Sequence, residues 1–156
     1  MATDFRLFDA WARSIGDGTT NMANANSFKY VACLMNSTTT ITNSNSVFSD
    51  IGNIYMPTNM IANTISLGGI AWWRIGNTVT WSSNAFTFTA NNGFMVADKV
   101  VIVEDANADG ASPPADTDKL VGWANIDSQN IANAGSLTIR SASNNSQCIF
   151  FVASAI

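Results

Sequence analysis

The sequence predicts an all-β domain, a jelly-roll-like β-sandwich of about eight strands preceded by a short N-terminal helix. Three observations carry that expectation. Short apolar runs recur along the chain, segments rich in Asn, Ser, Gly and Pro separate them, and only the N-terminal segment shows a helical period. A chain of 156 residues is long enough to close one hydrophobic core. Residues 1–156 are therefore expected to be a single domain, with 1–18 as its helical segment and 27–156 as its sandwich.

Taken in order, residues 3–15 place Phe5, Phe8, Trp11 and Ile15 on one stripe, with Asp4, Asp9 and Arg13 elsewhere; Thr3 is the expected N-cap, and Gly16 and Gly18 end the helix. Packing of this stripe on its own sandwich is favoured over its use as an arm that docks on a neighbouring subunit. Phe28 to Met35 reads as a strand, and Asn36 to Ser46 as a polar loop or weak edge hairpin. Val47 to Ile54 is expected to hold a short strand, and Ile65 to Leu67 and Ile70 to Ile75 flank a bend at Gly68-Gly69. Thr78 to Trp81 and Ala85 to Thr89 both alternate, and Ser82-Ser83-Asn84 between them reads as a tight hairpin turn. The valine and isoleucine run Lys99 to Val103 is too short for a helix and reads as a central strand buried on both faces. Asp105 to Asp118 is a loop closed by Pro113-Pro114, and Leu120 to Ile126, Ser136 to Arg140 and Gln147 to Ala153 complete the strands.

Composition narrows the function classes. Hydrophobic residues make up 47% of the chain and charged ones 12%, about half of the ~25% of an ordinary soluble domain. In their place stand 19 Asn, 16 Ser and 15 Thr. A neutral polar surface repels partners weakly and suits a protein whose outside is largely covered in an assembly. The net charge of −4 and seven scattered basic residues argue against nucleic acid, which needs clustered Lys and Arg. No segment approaches the ~20 apolar residues of a membrane span, and the charged first thirty residues do not read as a secretory leader, so synthesis in a cytoplasm is expected. Cys33 and Cys148 sit in apolar runs and read as buried thiols, although a disulfide between them stays open.

The chain has no histidine, which removes the Ser-His-Asp triad, most zinc sites and the commonest general base. No enzymatic activity is expected, and no catalytic residue is nominated. One stretch has a ligand-like spacing. Asp105, Asn107 and Asp109 occupy positions 1, 3 and 5 of a D-x-N-x-D-G pattern, with Gly110 at position 6 and Asp116 at position 12. Such a loop holds a structural Ca²⁺ when its oxygen shell is complete; here a short Asp replaces the usual bidentate Glu, and Pro113-Pro114 lies inside. An ordinary surface loop is the alternative and the preferred reading. No other cofactor is implied. The adjacent Trp72-Trp73 pair invites a sugar-stacking platform, but a core or subunit-interface role is preferred. Trp11, Trp81 and Trp123 read as core. Candidate interface residues are accordingly Phe5, Phe8, Trp11, Trp72 and Trp73.

The order of segments also resembles a broad family of small phage and prophage virion proteins. In that family a short helical segment precedes a strand of the form F-K-hydrophobic-A-hydrophobic-L, here Phe28-Lys29-Tyr30-Val31-Ala32-Cys33-Leu34. Matching segments follow at Phe48-Ser49-Asp50-Ile51, at Val79-Thr80-Trp81, at Val100 to Asp105 and at Leu120-Val121-Gly122-Trp123. The likeness covers roughly residues 5–140; the family's closing F-x-I-x-W-like strand is replaced by Ser136 to Arg140 and an additional run, Cys148 to Val152. The resemblance implies a virion structural role without catalysis. The expectation is a capsid decoration, or cement, protein on the outer capsid surface, binding the major capsid protein and forming a homo-oligomer, a trimer or dimer, without nucleic acid or membrane. The alternative is a tail-fibre or tail-tip module that recognises a host-surface glycan.

Overall fold

The structure is a computed structural model that describes residues 5–18, 29–36, 38–51, 64–75, 78–90, 95–106, 114–131, 135–140 and 147–154; for 72–75, 78–79, 95, 127–131 and 147–154 it describes the backbone alone. Ten antiparallel strands are present among them, eight of four residues or more. The chain runs β1 (Arg6–Leu7), α1 (Asp9–Gly16), β2 (Tyr30–Met35), a 3-10 turn (Phe48–Asp50), β3 (Thr64–Ser66), β4 (Ala71–Ile75), β5 (Thr78–Asn84), β6 (Phe86–Thr89), β7 (Met95–Glu104), β8 (Lys119–Ile131), β9 (Ser136–Ile139) and β10 (Gln147–Ser154). This is the mainly β, sandwich-like class with one short N-terminal helix that the sequence predicts.

The largest sheet has the order β1-β8-β7-β2-β3, a second has β10-β5-β4, and β6 pairs with β9 as a ribbon. Most of these neighbours are distant in sequence, as in Greek-key sandwiches. Strands β2 and β7 occupy the interior of the large sheet, and their sequences show it. All six residues of β2 are buried, as are Val100 to Val103 of β7, because an interior strand covered on both faces needs no polar alternation. Between the sheets the core is knit by aromatic edges: Tyr30 of β2 lies 6.1 Å from Trp11 of α1 and 5.1 Å from Trp81 of β5, both T-shaped. Trp11, Trp81 and Trp123 are all buried, as expected.

Three local expectations are corrected. The helix starts at Asp9 rather than near residue 3, because Arg6 and Leu7 are extended and pair with Trp123 and Gly122 of β8. Phe8, extended and without a side-chain cap, precedes the helix; Thr3 lies outside the described residues. Gly122 is what lets the chain approach, since a Cβ there would stand 2.9 Å from the Arg6 carbonyl oxygen. Second, of the segment expected to hold a strand from Val47 to Ile54, the described part, residues 47–51, is a single bridge to Lys119 followed by a 3-10 turn, and residues 52–54 lie outside the described residues. Its backbone donors go elsewhere: Phe48 donates to the Asp118 carbonyl and Ser49 to that of Asp116.

Third, residues 82–84 are not a hairpin turn. They continue β5, where Ser82 and Ser83 are buried, and β6 then leaves for a different sheet to pair with β9. The turn that does form lies upstream. Gly69 adopts φ +63 between β3 and β4, and the Asn84 side chain occupies the space its Cβ would take, while the Asn84 N–H donates to the Gly68 carbonyl. The helix ends as expected, with Gly18 at φ +74.

Candidate functional site

The nominated ligand loop leaves the large sheet at the end of β7 and returns to it at the start of β8. Asp105 is buried, 4% exposed, and its N–H donates to the Lys29 carbonyl. Asp116 is exposed, with its backbone carbonyl engaged by Ser49. Asn107 and Asp109 lie outside the described residues. The carboxylate that closes the loop is one that the ligand pattern passes over. Asp118 is 2% exposed; its Oδ1 accepts from the Ala106 N–H at 3.1 Å and its Oδ2 from the Ala115 N–H at 2.8 Å. One side chain thus ties both stems of the loop, using the two oxygens a calcium ion would have sought. Among the described residues no group of three or more His, Cys, Asp or Glu is placed to hold a metal ion. The available signal in the sequence was position alone: an Asp immediately before a strand favours local backbone bonding.

Cys33 is a free thiol buried in the middle of β2, within range of the Asp118 charge. Burial, and secondarily the Asp118 charge, push that thiol far above its ordinary value. Cys33 is therefore an inert small hydrophobe rather than a nucleophile. The side chain of Cys148, opposite Ser83 in the β10–β5 pairing, lies outside the described residues.

A second loop repeats the device at the surface. Asp50 Oδ2 accepts from the Ser46 N–H at 2.7 Å, the Ser46 hydroxyl at 3.1 Å and the Val47 N–H at 3.1 Å. These donors hold its carboxyl below the usual carboxylate range, the backbone bond from Ser46 first. Upstream, Asn36 Oδ1 accepts from the Thr38 N–H and Asn45 Oδ1 from the Thr42 N–H. Asn43 reaches both ways, its carbonyl accepting from the Asp9 N–H and its Oδ1 from the Trp123 indole N–H. The abundant Asx residues of this segment fold the loop onto itself and onto α1, so it is a bonded loop and not an edge hairpin.

The candidate interface residues divide. Phe8 and Trp11 are buried in the chain's own core and Phe5 is half-buried against it, so the helix stripe packs in cis. Trp72 and Trp73 stand in β4, an outer strand of the three-stranded sheet, opposite Trp81 and Thr80 of β5; their side chains lie outside the description. Two further features escape a sequence reading. Lys29 pairs with Glu104 at 3.0 Å and lies 5.6 Å from the Tyr30 ring centroid, joining β2 to β7 at one end of the sheet. A pocket of about 170 Å³ opens between α1 and the segment from Ser46 to Val47, with Leu120 as part of its wall.

No helix among the described residues is long and apolar enough to cross a membrane. No family model, curated protein or solved structure matches the chain.

Proposed function

We propose that the protein is a bacteriophage virion structural component, a capsid decoration protein that stabilises the head by bridging major capsid proteins from the outside. The observation that carries this reading is what the polar side chains do. Asp50, Asp118, Asn36, Asn43 and Asn45 accept hydrogen bonds from the chain's own backbone or core. Side chains of the types that build polar sites serve here to fix loops on a sandwich. That use, together with a charged fraction of 12%, supports a passive, rigid body whose surface is meant to be covered, because few ions need desolvation on docking. The segments that resemble phage virion proteins include, among the described residues, parts of β2, β5, β7 and β8 and the 3-10 turn, so the reading leans on the scaffold and not on a polar site.

Binding would be multivalent. Each contact of standard size, about 800 Å² per partner, is modest, but a lattice raises the effective concentration for the next one. The deciding measurement is the mass-resolved copy number of this chain relative to the major shell protein in purified particles. Decoration requires copies in the hundreds, whereas a tail-tip recognition module would number on the order of ten. Particles stripped of the protein should form and then burst at lower temperature; equal thermal survival would refute the cement role.

A further inference from the structure

We draw no further inference here: the strongest candidate, the outer face of the β6–β9 ribbon, where Thr87 and Thr89 stand opposite Thr138 and Ser136 and the Thr87 and Thr138 hydroxyls bond each other at 2.8 Å, is a stripe of small polar side chains, and nothing in the structure shows what covers it.

Discussion

Two loops in this molecule are closed by the same chemical device in opposite surroundings. Asp118 holds the stems of the 105–118 loop from a buried position, and Asp50 holds the turn at Ser46 and Val47 from the surface. Each accepts two backbone N–H bonds. The partners are alike, so any difference in their importance to stability measures what burial adds. At Asp50 water can replace a lost acceptor. At Asp118 the acceptor itself is buried, so water takes its place only by entering the space the side chain fills.

The largest expected effect follows directly. Asp118→Ala should lower the unfolding free energy by about 3 kcal/mol, since two hydrogen bonds to a buried, charged acceptor are lost. Urea denaturation measures it, and a loss below about 1 kcal/mol would break the comparison. Asp118→Asn sharpens it. An amide keeps one acceptor oxygen and turns an NH₂ toward the other donor, so about half or more of the alanine loss should appear.

Asp50 gives the next effect, and pH separates it from the first. Its carboxyl is held low in the folded chain by the Ser46 and Val47 donors, so the folded state favours the ionised form. That stabilisation is present above the unfolded carboxyl value of about 3.9 and is lost as pH falls from there through the depressed folded value. Asp50→Asn should therefore cost less than half of what Asp118→Ala costs at pH 7, and it should flatten the loss of stability between neutral and acid pH. An unchanged acid slope in the variant would show that these bonds do not survive in solution.

The two loops also mark where the sequence is readable. Strands β2 and β7 were legible because an interior strand writes its burial as an unbroken apolar run, and Val100 to Val103 admit few other readings. The fate of Ser82-Ser83-Asn84 was not. Alternation in Thr78 to Trp81 and in Phe86 to Thr89 specifies extended backbone on a half-buried surface, but it carries no information about the partner strand. β5 found β4 and β10, while β6 found β9, residues that lie about fifty positions away. Likewise the helical stripe was read correctly at Trp11, and Phe8 is buried as its place in that stripe implied although it is extended and precedes the helix, whose start was displaced by pairing of Arg6 and Leu7 with Trp123 and Gly122, a contact set by tertiary packing and invisible to periodicity. At the candidate site the spacing from Asp105 to Asp116 drew attention to ligand positions, while the carboxylate that does the closing, Asp118, lies just past the pattern. A carboxylate that accepts backbone N–H bonds has no motif of its own beyond its place next to a turn.

Tyr30 supplies the opposite limit of the same comparison, and the smallest effect on stability at neutral pH. Its hydroxyl is as buried as the Asp118 carboxylate, yet it has no hydrogen-bond partner among the described residues. If satisfied bonds are what make Asp118 costly to remove, deleting an unsatisfied hydroxyl should cost almost nothing. Tyr30→Phe keeps the ring edges against Trp11 and Trp81 and should lie within about 0.5 kcal/mol of the parent near pH 7. Alkali separates the two proteins. Burial, and then the Glu104 charge, push the Tyr30 hydroxyl well above the ordinary tyrosine value, so the folded chain resists ionisation that the unfolded chain permits. The parent's stability is thus complete below pH ~10 and declines as pH rises past it, and Tyr30→Phe should remove that decline. A cost above about 1.5 kcal/mol at pH 7 would mean that the hydroxyl is bonded after all, and burial alone would no longer distinguish Asp118 from Asp50.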